Sequence, residues 1–232
     1  MEFNRILLFL FISIVVFLPE INSQQQNYFT HLTVEDGLSQ SSVFSITQDE
    51  TGFIWFATED GLNKYDGYKF TVYRPIENDP NSLPDLGIRK VFEDKSGNIW
   101  VITLRGKICL YDQQKDNFKT YSFSDAEGKQ RKIISIGQDK NGILWIASTR
   151  GDLFSFNSKK NLFEKFILKS DITDKFKSIH LQSLLIDSDN LFWIGTWEGL
   201  INLNIESQTI NWYKHSDTNS NSIGGDMVFS LS

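Results

Sequence analysis

The feature that most constrains the fold is a tryptophan that recurs along the chain at nearly constant intervals. The four copies, separated by 45, 45 and 48 residues, are Trp55, Trp100, Trp145 and Trp193. Six residues after each of them comes a glycine, and these glycines are Gly61, Gly106, Gly151 and Gly199. Such a period indicates a repeat architecture, in which each unit is one supersecondary motif packed on its neighbours.

Each repeat has the pattern of four short strands. In the first repeat, apolar, β-branched and aromatic runs bounded by turn residues predict strands at Val43–Ile46, Phe53–Ala57, Leu62–Tyr65 and Phe70–Tyr73. A unit of about 45 residues with four strands is a β-propeller blade. The chain is therefore predicted to be all-β, with four four-stranded antiparallel blades and the start of a fifth. We expect the recurring Trp to pack between blades, since a ladder of sugar-binding residues would not need the same position in every repeat.

The connection between the first two strands of a blade has the chemistry of a type I turn. Asp49 can cap its first position, and Gly52 can take a positive φ at its fourth. The equivalent aspartates of the other repeats are Asp94, Asp139 and Asp187. Asn190 replaces the glycine in the fourth repeat, and Asn tolerates the same conformation.

The two ends of the repeat region are unmatched. Phe29–Leu32 resembles the outer strand Phe70–Tyr73, and Val228–Leu231 resembles the inner strand Val43–Ile46. We expect the first to be a clasp strand that completes a last blade, and the second to begin a truncated blade. A genuine four-bladed ring is the alternative. The predicted organisation is a signal peptide at 1–23, a clasp strand with its lead-in loop at 24–42, blades at 43–87, 88–132, 133–177 and 178–226, and a fifth blade beginning at 227–232.

The first residues have the pattern of an export signal. Arg5 gives a basic start, Ile6–Leu18 is apolar apart from Ser13, and Pro19 ends the run. A run of about 13 residues has the length of a signal-peptide core and is short for a membrane span. We expect export; retention of the segment as an N-terminal anchor is the alternative.

Composition excludes several function classes. The net charge is −6, and the basic residues form no stripe of the kind that nucleic-acid-binding proteins carry. Cys109 is the only cysteine, so neither an intrachain disulfide nor a cysteine-based zinc site is expected, and its strand-like surroundings predict a buried apolar role. No cofactor and no metal are expected.

The repeats match a family pattern, Asp-x-x-Gly-x-(Ile/Leu)-Trp-(Ile/Val)-(Gly/Ala)-Thr-x-x-Gly-Leu, most fully at Asp49–Leu62 and Asp187–Leu200. The segment Phe29–Gln40 and the loop Asn78–Leu83 are also typical of that family. On these motifs the chain resembles the periplasmic sensor region of the hybrid two-component systems of Bacteroidetes, which is built from two-component regulator propeller repeats. The second and third blades depart from the pattern, because Lys107 and Asp152 replace the final Leu.

The resemblance implies a part of a larger receptor. Members typically carry two seven-bladed propellers, a β-sandwich, a transmembrane helix, a histidine kinase, a receiver and a DNA-binding domain, and they sense oligosaccharides released from glycans. It therefore implies an open arc of a seven-bladed propeller in the periplasm, with the missing blades, downstream sensor domains, an oligosaccharide and a second copy as partners. The kinase activity transfers to no residue here, since none of His31, His180 and His215 has a helical phosphoacceptor context. The chain is not expected to be an enzyme.

Candidate binding residues lie in the loops that join the second and third strands of each blade. These b–c loops share one face of a propeller with the d–a loops between blades, and ligands commonly dock there. Trp197 is the only aromatic residue among them, and such a Trp can stack on a sugar ring while neighbouring charges bind its hydroxyl or acidic groups. The candidates are Trp197, Glu198, Arg105, Arg150, Glu59 and Asp60. The alternative is that they are solvated turn residues, with Trp197 packed on a neighbouring loop.

Two other functions compete with sensing. A scaffold for protein interaction or dimerisation fits the same fold. A propeller glycosidase or lyase would need converging carboxylates, and the b–c loops supply only Glu59, Asp60 and Glu198. On its own the chain is expected to aggregate, because the first blade has no neighbour to cover its apolar face.

Overall fold

The computed structural model describes residues 29–123, 130–177 and 179–231, which form four sheets of four strands each. The predicted signal peptide, residues 1–23, lies outside the described residues. The strands are β1 (Val43–Gln48), β2 (Ile54–Thr58), β3 (Gly61–Tyr65), β4 (Phe70–Tyr73), β5 (Ile88–Glu93), β6 (Ile99–Thr103), β7 (Ile108–Asp112), β8 (Asn117–Tyr121), β9 (Ile133–Gln138), β10 (Leu144–Ser148), β11 (Leu153–Asn157), β12 (Leu162–Lys165), β13 (Leu181–Ile186), β14 (Leu191–Thr196), β15 (Gly199–Asn204) and β16 (Thr209–Tyr213).

Each sheet is an antiparallel meander of four consecutive strands, which confirms the predicted four-stranded blades. A short 3-10 helix, Val34–Asp36, precedes the first blade, and helix α1, Ser170–Lys177, lies in the connection between the third and fourth blades. The predicted clasp segment Phe29–Leu32 and the predicted start of a fifth blade at 227–231 form no strand. Val228 nevertheless donates its backbone N–H to the carbonyl of Thr196 at 2.9 Å, beside the end of β14.

The turn between the first two strands of each blade is tied directly to the tryptophan. In the first blade, one carboxylate oxygen of Asp49 accepts the backbone N–H groups of Thr51 and Phe53, each at 3.0 Å. The other oxygen accepts the indole N–H of Trp55 at 2.7 Å. Burial of Asp49 acts to raise its pKa, but the hydrogen bond from the Thr51 hydroxyl and these other hydrogen bonds together lower it below the usual value.

The same aspartate–tryptophan hydrogen bond occurs in every blade. Its other copies are Asp94–Trp100 at 2.8 Å, Asp139–Trp145 at 3.0 Å and Asp187–Trp193 at 2.7 Å. At the fourth turn position Gly52 has φ 92° and Asn190 has φ 66°, so the substitution keeps the left-handed conformation.

Three of the tryptophans pack from their own blade onto the next one. Trp55 lies 5.0 Å from the ring of Tyr111 in the second blade, and Trp145 lies 5.1 Å from Phe192 in the fourth. Trp100 contacts Phe156 of the third blade at 5.2 Å. Three separate apolar clusters result, one between each pair of neighbouring blades, so the core is a series of layers.

The outer faces of the first and fourth blades carry the same kinds of side chain as the faces that neighbouring blades cover. Ile46 in β1 is 60% exposed, whereas the residues at the same position in the other blades are 1–3% exposed, namely Val91, Ile136 and Leu184. At the other end, Trp193 is half-buried and Tyr213 is exposed. Both faces therefore present apolar side chains that the other blades bury.

A hydroxyl on the first strand of three blades shows the same difference between covered and open faces. Ser45 donates to the carbonyl of Val91 at 3.4 Å, and Ser135 donates to the carbonyl of Leu184 at 3.3 Å, each in the following blade. The equivalent Ser183 is buried, and its hydroxyl has no hydrogen-bond partner among the described residues. A buried hydroxyl without a partner is costly, so this face is suited to meet another carbonyl.

Replacing Trp100 by Phe tests the aspartate–tryptophan hydrogen bond in a blade that has a neighbour on both sides. The substitution leaves the buried Asp94 carboxylate without its indole donor, so we expect the free energy of unfolding to fall by about 1–3 kcal/mol in urea denaturation. Trp193→Phe is the matched control, because it removes the same hydrogen bond in the fourth blade, where the tryptophan is half-buried. The loss of unfolding free energy should be smaller there. Equal losses of unfolding free energy at the two positions would show that burial does not set the strength of the aspartate–tryptophan hydrogen bond.

Replacing Ile46 by Lys tests the open face of the first blade. Because Ile46 is exposed, the free energy of unfolding should change by less than about 0.5 kcal/mol, while light scattering should show less aggregation. Val91→Lys places the same charge at the equivalent buried position and should abolish cooperative folding. If the Ile46→Lys variant aggregated at the wild-type rate, the exposed face of the first blade would not be the cause of aggregation.

Candidate functional site

The b–c loops are tight turns held by the last residue of the second strand. The hydroxyl of Thr196 donates to the carbonyl of Gly199 at 2.7 Å and accepts the N–H of Glu198 at 3.0 Å. Gly199 has φ 123°, and a Cβ there would lie 2.3 Å from the carbonyl oxygen of Tyr213. Only glycine fits this position, so the turn is rigid and holds Trp197 and Glu198 at its tip.

Trp197 forms a flat aromatic platform with a histidine from the preceding connection. Its ring stacks on that of His180 with centroids 5.1 Å apart and an interplanar angle of 17°. Its backbone N–H also donates to the carbonyl of His180 at 3.3 Å. Trp197 is 51% exposed and His180 is exposed, so the stacked pair is both ordered and accessible to a ligand.

Glu198 lies on the same turn but is engaged by its own blade. Its carboxylate lies 3.9 Å from the ammonium of Lys214, and its carbonyl accepts the indole N–H of Trp212 at 2.9 Å. The Lys214 ammonium lies 4.0 Å from the ring centroid of Trp212. Both charged side chains are exposed, so water screens the pair and it contributes little to stability.

Arg150 lies next to the aromatic platform. The carbonyl of Thr149 accepts the N–H of Leu181 at 3.3 Å, and Arg150 and His180 are the immediate chain neighbours of these two residues. Arg150 also lines a cavity of about 380 Å³ together with Arg131 and Lys165. Arg150 therefore lies where the third blade meets the segment that carries His180, and it also lines this cavity.

The remaining candidates lie between the first and second blades. Glu59 and Arg105 line one cavity of about 510 Å³. Asp60 accepts two hydrogen bonds from the Arg74 guanidinium, at 3.2 and 2.8 Å, and these lower its pKa. The six candidates thus form two groups, and Asp60 is occupied by a partner within its own blade.

Sequence reasoning missed His180. It lies in a connection between blades, and these connections differ in length and residue type from one repeat to the next, so the repeat gives no register for it. The signal available was its place immediately before β13, because the start of an innermost strand is next to the b–c loops.

The described part of the chain comprises residues 29–123, 130–177 and 179–231. There, no group of three or more His, Cys, Asp or Glu side chains is placed to hold a metal ion. Nor does any helix in that part of the chain have the length and apolar character to cross a membrane.

The connection after the fourth blade repeats a motif seen after the first. Ser82 accepts the N–H of Ile76 at 2.9 Å, and Ser222 accepts the N–H of Ser216 at 3.0 Å. In the second copy, the ring of His215 contacts the carbonyl of Ile223 at 2.8 Å and Asp217 at 3.0 Å. The Ile223 carbonyl and the two acids Asp217 and Asp226 raise the pKa of His215.

Parts of the chain are similar in sequence to known proteins. The family described as two-component regulator propeller matches residues 37–60, which include the first aspartate–tryptophan turn. A protein named histidine kinase P4, from Formosa agariphila, is 43% identical over 79 residues, covering 34% of this chain and 5% of that protein. The match therefore spans a small fraction of the relative.

Solved structures show the fold. The extracellular domain of the hybrid two-component system BT4673 from B. thetaiotaomicron superposes with a TM-score of 0.65 at 21% identity, over 81% of this chain and 27% of that domain. Virginiamycin B lyase from Staphylococcus aureus superposes with a TM-score of 0.57 at 17% identity, over 76% of this chain and 56% of the lyase. The β-propeller domain of Cps50 (Swd1) from Myceliophteria thermophila gives 0.57 at 11% identity, over 84% and 59%. The chain has the fold of propeller blades and spans about a quarter of the B. thetaiotaomicron domain.

The contacts of His215 predict a pH dependence in the connection after the fourth blade. A raised pKa means that the contribution of His215 to stability is fully present below the unfolded value of about 6.5 and is lost as the pH rises through the folded value. The free energy of unfolding should therefore fall with rising pH in that window. His215→Gln should flatten this dependence in urea denaturation, and an unchanged slope in the variant would contradict the assignment.

Proposed function

We propose that this chain, which carries two-component regulator propeller repeats, is the extracytoplasmic ligand-sensing region of a hybrid two-component sensor. Its ligand is an oligosaccharide derived from glycans, and ligand binding at the propeller is transmitted to the rest of the receptor. The match to the family at residues 37–60 and the likeness to the BT4673 extracellular domain support this assignment.

The Trp197–His180 platform is the observation that carries the proposal. The apolar face of a sugar ring stacks on an exposed aromatic ring, and a ring that is already held in place loses little conformational entropy on binding. Here the platform is fixed by the ring stack and by the backbone hydrogen bond between the same two residues. Arg150 stands beside it and can donate to hydroxyl or acidic groups of the ligand.

The outer faces of the arc support a place within a larger assembly. Ile46 at one end and Tyr213 at the other have the residue types that neighbouring blades bury elsewhere in the chain. Near the second end, the buried Ser183 hydroxyl has no hydrogen-bond partner among the described residues. In this proposal, further propeller blades cover both faces, downstream sensor domains follow, and two receptors associate as a homodimer. The region is exported by a signal peptide at 1–23 and acts in the periplasm.

A protein-interaction scaffold is the second candidate, and the same open faces favour it. Exposed sheet edges and apolar sheet faces also serve as protein interfaces. A glycosidase or lyase finds less support, because Asp60 is held by Arg74 and Glu198 lies beside Lys214. Two carboxylates that are engaged in this way are poorly placed to act as an acid–base pair.

Replacing Trp197 by Ala tests the sensing proposal. Oligosaccharide ligands are first identified on a glycan array with the full chain, and their affinities are then measured by isothermal titration calorimetry. Loss of the platform should weaken binding about tenfold or more. Tyr68→Ala is the control, since Tyr68 is an equally simple aromatic side chain that is 94% exposed on a different turn.

The outcome separates the two candidates. Weaker binding in Trp197→Ala with unchanged binding in Tyr68→Ala supports an oligosaccharide sensor that uses the platform. No glycan bound by the wild-type chain, together with self-association in sedimentation experiments, favours the scaffold.

A further inference from the structure

The cavity that Arg150 lines lies between the third blade and helix α1, and several of its lining side chains are cationic. It has a volume of about 380 Å³, and among the described residues the charged side chains that line it are those of Arg131, Arg150, Lys165 and Asp152. The whole chain has a net charge of −6. Cationic side chains that line a cavity attract an anionic group.

Asp152 holds two of the cations in position. Its carboxylate accepts from Arg131 Nε at 3.2 Å and from Lys165 Nζ at 2.6 Å, and its side chain is 11% exposed. The hydroxyl of Ser148 contacts it at 3.1 Å as well. One carboxylate therefore fixes the geometry of two cations, as a preorganised anion site requires.

Arg150 supplies the third cation at the exposed side of the cavity. Its side chain is exposed, and it forms no ion pair or side-chain hydrogen bond with any other described residue. An arginine in this state has its planar set of N–H donors available for a carboxylate or sulfate group.

The repeat shows that the charge at Asp152 is a departure from the common blade pattern. The position after the blade glycine is Leu62 in the first blade, where the side chain is fully buried, and Leu200 in the fourth. In the second blade it is Lys107, which lies 3.8 Å from the buried Asp85. The third blade thus has a carboxylate where the pattern places an apolar side chain, and such local departures are concentrated at functional sites.

We propose that this cavity binds the acidic group of the ligand, so that the sensor recognises anionic oligosaccharides bearing a carboxylate or a sulfate. The inference rests on the proposed sensing function and specifies its ligand class. A sugar ring on the Trp197–His180 platform lies next to Arg150, because Arg150 and His180 flank the hydrogen bond between Thr149 and Leu181. The volume lies within the range of about 300–1,000 Å³ that is usual for small-ligand sites.

Three matched sugars test the ligand class: glucose, glucuronate and glucose 6-sulfate. They share one ring and differ in having no charge, a carboxylate or a sulfate. We expect at least one of the two acidic sugars to bind the full chain about tenfold or more tightly than glucose in isothermal titration calorimetry, and the affinity to fall as salt is added. The tighter of the two acids identifies which group the cavity prefers.

Arg150→Gln tests the residue. The variant should lose the preference for acidic sugars, whereas Lys160→Gln should keep it. Lys160 is exposed in the same blade and pairs with Glu164, so the control removes the same charge outside the cavity. Because Arg150 is also exposed, neither substitution should prevent folding.

The outcomes distinguish this inference from the sensing function. If glucose binds as tightly as both acids, or if the preference survives in Arg150→Gln, the cavity does not select anions. Trp197-dependent binding of neutral glycans would then leave the sensing proposal intact. If neither these sugars nor any glycan on the array binds, both proposals fail.

Discussion

The hydrogen bond from a tryptophan indole to an aspartate carboxylate is the interaction on which the rest of the structure depends. One carboxylate caps the turn between two strands with one oxygen and fixes the orientation of the indole with the other. The oriented ring then reaches the next blade, where it packs on aromatic side chains such as Tyr111. Local turn chemistry and packing between blades are therefore set by the same residue pair, and the pair is repeated four times.

This constraint leaves the b–c loops free to differ. Each loop is closed by a hydroxyl or backbone contact and a glycine, and the residues at its tip take no part in the core. In the third blade this loop carries Arg150, which lines a cavity, and in the fourth it carries Trp197, which forms the aromatic platform with His180. The first and second blades use it differently, because Asp60 is paired with Arg74 and Asp85 with Lys107.

The fold could be predicted from the sequence because the same turn and strand pattern recurs in all four repeats. Strands such as Phe70–Tyr73 followed from runs of apolar residues, and the turn followed from Asp49 and Gly52, whose roles are local. The candidate site was predicted only in part. Trp197 stood out from the other blades, but its stacking on His180 joins a b–c loop to a connection of irregular length, and no periodicity reports such a contact. The role of Asp152 required knowledge of which cations surround it, which depends on packing across strands.

The packing of the blades in layers also determines the order in which they unfold. In the part of the chain that the structure describes, each blade contacts its sequence neighbours through a separate apolar cluster, so its stability is close to a sum of terms for single blades and for the interfaces between them. The second and third blades each have two such interfaces, whereas the first and fourth have one. Partial opening should therefore start at the ends and proceed inward, and amide protons in β6 and β10 should exchange more slowly than those in β2 or β14. The Trp197–His180 platform belongs to the fourth blade and to the connection that leads into it, so ligand binding there would slow fraying from that end.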